Sequence, residues 1–393
     1  MFFLIKFLKL LDFDKLRNYN IVKTLREDTM LIKDSLDGRN IPDLMTALSG
    51  EKVTDVETFL ARKEEIKKIL QEKEYGFIPA PPEKMTVDAE EKFPNFAAGK
   101  AKRLELTFNV TVNGKTASFP VTSVVPKSEG THPAFVFMNF SNDVPDKYLP
   151  SEELVDAGFA VFSFHHSSAT TDNGDFTTGV APLFVGEERK PTDPGKIAMW
   201  AWCAMRVMDY VQTLDNIDLK NVAVVGHSRL GKTALVAGAF DERFKYVISN
   251  DSGCSGAAVT RGKVGETVEV ITNVFPYWFC PNYNNERDNF DNAGYDQHFL
   301  LALSAPRHVM IGSAKEDLWA DPESEFLSAH LASEAWRLYG KAGLVSGDEI
   351  PEAKSVLADG DILYQVRFGT HYMSREDWRE YISFINAKMA EDK

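Results

Sequence analysis

The rhythm of hydrophobic and polar positions changes twice along the chain. Residues 55–74, DVETFLARKEEIKKILQEKE, carry Val56, Phe59, Leu60, Ile66, Ile69 and Leu70 at helical spacing, with charges filling the other face. That predicts a surface helix, ended by the proline-rich connector GFIPAPPE at 76–83. Residues 102–125 alternate around Asn113-Gly114 and predict a β-hairpin. From about residue 130 the apolar runs become continuous: PAFVFMNF, AVFSFHH, VAVVGHS, YVISND, HVMIGSA and ILYQVRF. A strand that is apolar throughout is one buried on both faces. Between these runs, SEELVDAGF, PGKIAMWAWCAMRVMDYVQTL and RLGKTALVAGAF predict helices, the second with Pro194 near its start.

Strands alternating with helices predict an α/β fold. The expected core is a mostly parallel central sheet in a three-layer α/β/α sandwich, with the hairpin adding antiparallel N-terminal strands. No linker sets off a second domain. The expected division is an N-terminal extension over 1–94, packed on or leading into a main domain over 95–393. Residues 252–300 are expected as loops over the sheet's carboxyl edge.

Composition narrows the partners. At 44% hydrophobic and 26% charged, the 393 residues describe a globular protein rather than a disordered one. Lys+Arg of 44 against Asp+Glu of 58 leaves a net charge of −14. Nucleic acid and anionic membranes, both of which need basic surfaces, are therefore unexpected partners. Cys203, Cys254 and Cys280 contain no CxxC pair and read as buried thiols, not as a disulfide framework or zinc site. The opening MFFLIKFLKLLDFDKL is too short to span a membrane. It also lacks the basic start and small-residue cleavage site of a signal peptide, and Met30 reads as an alternative start. The compartment stays open, leaning to the cytoplasm.

The sharpest local signal is Gly226-His227-Ser228-Arg229-Leu230-Gly231-Lys232, where a buried strand runs through a serine straight into a helix. This is the strand–turn–helix context of a nucleophile elbow, the mark of an α/β-hydrolase fold. The spacing is G-x-S-x-x-G, one residue longer than usual. The competing reading is a serine that caps an ordinary helix. A serine nucleophile needs a base, and the base an orienting carboxylate, in the order Ser, acid, His. His371, in the glycine-containing loop after the last buried strand, is in place to be that base. His165, His166 and His227 read as polar-loop or packing residues. Asp251 ends YVISND and Asp317 follows HVMIGSA; chain order cannot choose between them.

GHSRLGKTAL, SNDSGCSGAA, GETV, FPYWFC, DQH, EDLWADP and FGTHY together resemble the bacterial glucuronoyl esterases, carbohydrate esterase family 15. The resemblance runs from about residue 130 to 380. It implies Ser228 as nucleophile, His371 as base and Arg229 as the oxyanion arginine. It also implies Lys232, Glu266 and Trp319 as sugar-binding positions. Trp278 and Phe279 either line the sugar site or pack in the core. Many relatives carry Glu where this chain has Asp251, and the shorter side chain favours Asp317 as the acid, although the two could share the role. The implied activity is serine-dependent hydrolysis of (4-O-methyl-)glucuronoyl esters, such as those joining glucuronoxylan to lignin alcohols. A loop N–H after FVFMNF is a further oxyanion donor, and no metal or cofactor is needed. A monomer is expected. The rivals are an acetylxylan or other carbohydrate esterase, and a catalytically inactive carbohydrate-binding hydrolase fold.

Overall fold

The computed structural model describes residues 30–392. The apolar N-terminal run therefore lies outside the described residues. The strands are β1 (Lys84–Phe96), β2 (Ala101–Val112), β3 (Lys115–Pro126), β4 (His132–Asn139) and β5 (Ala160–His165). They are followed by β6 (Ile217–His227), β7 (Tyr246–Asn250), β8 (His308–Ala314), β9 (Ser355–Leu357) and β10 (Ile362–Arg367). They form one sheet in the order β1-β2-β3-β5-β4-β6-β7-β8-β10-β9. The centre from β5 to β10 is parallel. The N-terminal strands and the short edge strand β9 are antiparallel. This is the α/β-hydrolase arrangement.

The hairpin turns at Asn113 and Gly114, both at positive φ (50° and 73°), as an Asn-Gly turn requires. It has an extra partner that the sequence pattern hid. β1 pairs with β2 from Lys84↔Thr111 to Phe96↔Ala101. A boundary at 94/95 thus falls inside a strand, and the sheet begins in what reads as an extension. β1 escapes notice because it is an edge strand: its charged run Asp88–Lys92 is largely solvent-facing, as unpaired edges require.

Alternating side chains of the parallel strands enter two cores. Ala134, Val136 and Met138 of β4 face one core; Phe135 and Phe137 face the other. The first core is closed by helices α1 (Val56–Leu70), α2 (Lys196–Val211), α3 (Arg229–Phe240) and α4 (Pro322–Leu338). The second is closed by Trp378, Tyr381 and Phe384 of α5 (Arg375–Glu391). Helix α1 opens with a reciprocal Asp55–Thr58 cap and buries Phe59, Ile66 and Leu70. Its apolar stripe is narrower than the spacing predicts, since Leu60 is 52% exposed.

Residues 252–300 are more ordered than loops. They include the helices Val268–Val274 and Gln297–Ala302 and bury Tyr283 and Tyr295. Buried contacts tie them to the chain after α1: Gln297 Nε2 donates to both oxygens of Glu74, each at 3.1 Å, and the Tyr75 hydroxyl donates to the Ser255 carbonyl at 3.0 Å. Burial pushes the Glu74 carboxyl up to about 7. A fully buried carboxylate three residues into a charged stretch carries no signal in hydropathy alone.

Candidate active site

Strand β6 delivers Ser228 to the sheet's carboxyl edge, and α3 starts at the next residue. Ser228 has φ 59° and ψ −129°, a backbone conformation that non-glycine residues rarely hold. The turn is possible only because Gly226 has no side chain: a Cβ there would lie 2.1 Å from the Leu230 carbonyl oxygen. Gly231 is less demanding, since its Cβ would meet Ser249 Oγ and Ser252 Cβ at 3.0 Å. Ser228 occupies the N-cap position but its side chain makes no capping hydrogen bond. The hydroxyl lies instead 2.8 Å from His371 Nε2.

His371 sits in the loop after β10. Its Nδ1 is 2.6 Å from Asp317 Oδ2, in the loop after β8. Those loops are neighbours because β10 pairs with β8 in parallel. Burial acts to raise the Asp317 carboxyl, but the hydrogen bond and charge of His371, with the Ala320 N–H, hold it below the usual carboxylate range. The three groups thus form an unbroken chain, Ser228 to His371 to Asp317.

Asp251 lies deeper, 1% exposed, with φ 44°. Its Oδ2 accepts from Arg367 at 3.3 Å and its Oδ1 has no partner among the described residues. Burial, with the Glu325 charge adding to it, pushes this carboxyl well up. Asp251, Asp317 and His371 bring donor atoms within 4.8 Å of one another. A cation among them would face the Arg367 guanidinium already paired with Asp251. Glu325 holds the same loop from below, accepting the N–H groups of Ser252 and Gly253 at 2.8 and 2.9 Å.

His227 packs under the base with ring centroids 4.6 Å apart, and its Nδ1 meets Asn250 Oδ1 at 2.7 Å. Burial, then the His371 charge, drops it to about 3, so it stays neutral. His166 is buried and His165 half-buried, and neither approaches Ser228 within hydrogen-bond distance.

An open cleft of about 460 Å³ exposes Ser228, Arg229 and His371, walled by Phe140, Lys147 and Tyr148. The wall residues come from the loop after β4, a contribution that spacing does not reveal. The Phe140 N–H donates to Asn139 Oδ1 at 2.7 Å, so that amide is already engaged. Within the first turn of α3 the Gly231 N–H donates to the Ser228 carbonyl at 2.8 Å, which leaves the Arg229 and Leu230 N–H groups without a helical acceptor at the helix start. The Arg229 guanidinium pairs with Asp172 and stands 4.8 Å over the Trp278 ring. Trp278 and Phe279, 3% and 1% exposed, are both packed.

Lys232 lies one turn beyond Ser228 and is buried. Its ammonium donates to the carbonyls of Ser252 and Cys254 and lies 3.6 Å from Glu266. The Glu266 N–H donates to the Trp319 carbonyl at 3.0 Å, so the two loops run side by side. The Trp319 ring itself is 55% exposed. Lys232 and Glu266 are therefore brought together, while Trp319 reaches solvent beside them.

A family profile described as glucuronyl esterase of fungi matches residues 108–340. The chain is 41% identical over 241 residues to "Carbohydrate esterase MZ0003" of an unknown prokaryotic organism, covering 61% of this chain. It spans 55%, about half, of that protein's length. Among solved structures it is similar to a glucuronoyl esterase from Solibacter usitatus, with TM-score 0.82 and 31% identity. That match covers 88% of this chain and 97% of the other. A glucuronoyl esterase from Sporotrichum thermophile, solved in complex with methyl 4-O-methyl-β-D-glucopyranuronate, matches with TM-score 0.66 and 26% identity. There 88% of this chain and 87% of the other are covered.

Proposed function

The chain belongs to the glucuronoyl esterases of carbohydrate esterase family 15, and from that premise we propose that it hydrolyses (4-O-methyl-)glucuronoyl esters through an acyl-enzyme on Ser228. The observation that carries the reading is the hydrogen-bonded chain at 2.8 and 2.6 Å on the strained elbow. Ligand chemistry comes from the Sporotrichum relative, whose bound compound is a methyl uronate.

His371 takes the Ser228 proton on Nε2 while Oγ bonds to the uronate carbonyl carbon. Asp317 holds the opposite ring nitrogen and stabilises the imidazolium. Negative charge gathers on the carbonyl oxygen, where the α3 amides and the Arg229 guanidinium can receive it. The tetrahedral adduct collapses, the C–O bond to the alcohol breaks, and His371 returns the proton to the leaving oxygen. Water then repeats the sequence on the acyl-enzyme, releasing the uronic acid and restoring Ser228. Lys232, Glu266 and Trp319 hold the sugar on the acyl side. Lys232 acts there within a pair rather than as a free cation, since its ammonium is shared with Glu266 and two carbonyls.

The test compares benzyl glucuronate, benzyl galacturonate and aryl acetates at equal enzyme concentration. Preference for the glucuronate ester is expected. Equal or better turnover of acetates, with no cleavage of benzyl glucuronate, would leave an acetyl-type carbohydrate esterase. Failure of a fluorophosphonate to label Ser228 would leave no enzyme at all.

A further inference from the structure

The geometry points to Asp172 as the residue that positions Arg229 for oxyanion stabilisation, an inference that rests on the esterase reading above. Asp172 belongs to the segment after β5 and is far from Arg229 in sequence. Its carboxylate serves several donors at once. Oδ2 accepts from Arg229 Nη1, and Oδ1 accepts from the Trp278 indole N–H at 2.7 Å. His166 Nε2 lies 3.3 Å from the same Oδ2 and anchors the ring's other side on the Asn139 carbonyl at 3.0 Å.

The arrangement is a closed triangle. Arg229 pairs with Asp172, Asp172 accepts from Trp278, and the Trp278 ring lies 4.8 Å beneath the guanidinium. Phe275 stacks on Trp278 at 3.8 Å and an interplanar angle of 3°, which fixes that ring. Each member limits the freedom of the other two. An arginine side chain has as much rotamer freedom as any residue. A donor that stabilises developing charge must be in place before the charge appears. The Asp172 carboxylate opposes a nearby oxyanion electrostatically, so its contribution is orientation. Burial acts to raise its carboxyl, but the bonds from His166 and Trp278 and the Arg229 charge hold it at about 2. It is therefore ionised wherever the enzyme is folded and working.

The test is a double-mutant cycle between Asp172→Asn and Arg229→Ala. Two readouts are taken: kcat and KM on benzyl glucuronate, and the rate of Ser228 labelling by a fluorophosphonate. Asp172→Asn alone is expected to lower kcat and the labelling rate about tenfold to a hundredfold, with KM within about threefold. In the Arg229→Ala background the same change is expected to matter less than about twofold. Equal losses in both backgrounds would assign Asp172 to the loop's stability and overturn the inference; so would no loss in the native background. If Asp172→Asn does not fold, Trp278→Phe enters the cycle, keeping a ring under the guanidinium but removing the indole N–H. A loss of about threefold to tenfold that vanishes without Arg229 is then expected, and its persistence overturns the inference. The labelling arm needs no uronate, so it reads the coupling even if native enzyme fails to cleave benzyl glucuronate. That failure would count against the proposed function alone.

Discussion

Asp317 Oδ2 lies 2.6 Å from Nδ1 of His371, across 54 residues of chain. Asp251, whose carboxyl is also within 4.8 Å of that ring's donor atoms, spends its one hydrogen bond on Arg367. Two carboxylates thus crowd one imidazole, but only Asp317 orients it.

Exchanging each acid for its amide separates the roles. Asp317→Asn should lower kcat by about 10³–10⁴-fold, because an amide stabilises the wrong imidazole tautomer. Asp251→Asn should retain kcat/KM within about tenfold, since burial already disfavours its charged form. Steady-state kinetics of both variants checks this, and the reverse ranking would move the triad acid to Asp251.

Strain at the nucleophile should appear in stability. Ser228→Ala should lose about 10⁴-fold or more in kcat with the fold intact. Ser228→Gly should be equally inactive yet at least as stable as Ser228→Ala, because glycine holds φ 59° without the Cβ penalty. Thermal unfolding of the two variants decides; a markedly lower Tm for the glycine variant would mean that the elbow stores little strain.

The two elbow glycines should differ. Gly226→Ala places a Cβ 2.1 Å from backbone that cannot move without opening the turn. We expect a loss of about 3 kcal/mol or more, at the upper end of overpacking. Gly231→Ala meets side chains at 3.0 Å, lies within a helix that favours alanine, and should lose less than about 1.5 kcal/mol. Denaturant melts of both variants measure the gap, and equal losses would contradict it.

The stability contributed by Glu74 and Glu325 should fall as pH rises from about 5 to 7. Burial raises Glu74 and Glu325 to about 7 from the ordinary glutamate value of 4.5. At these two carboxyls the folded state binds more protons than the unfolded chain in that interval, so raising pH weakens their contribution, while His227, His298 and His308, kept neutral by burial, act in the opposite sense. The contribution is complete below the unfolded value and gone above the folded one. Glu74→Gln, which can still accept from Gln297, should remove that share and make the change of Tm with rising pH more positive than in the native protein. Tm measured at pH 5, 6 and 7 for both proteins would show it; parallel slopes would rule Glu74 out as a source.

Lys232→Ala should unfold easily as well as bind poorly. It strips the Ser252 and Cys254 carbonyls of a donor and leaves Glu266 buried without its cation. Removing one partner of a buried pair typically costs about 3–5 kcal/mol. A raised KM at unchanged Tm would mean that the ammonium serves the sugar alone.

The linear chain was enough to determine the parallel sheet, because strands apolar on both faces must be covered on both. It was also enough for the elbow, because Gly226-His227-Ser228 between a buried strand and a helix has few other uses. Chain order and the glycine loop singled out His371 in the same way. The choice between Asp251 and Asp317 needed the fold: both precede His371, and only the β8–β10 pairing brings the Asp317 loop beside it. Edge strand β1 was hidden because a solvated edge needs no apolar alternation. Asp172 was silent for a similar reason. Its role comes from Arg229 and Trp278, 57 and 106 residues away, and a loop aspartate carries no periodic signal until the folded chain brings its partners to it.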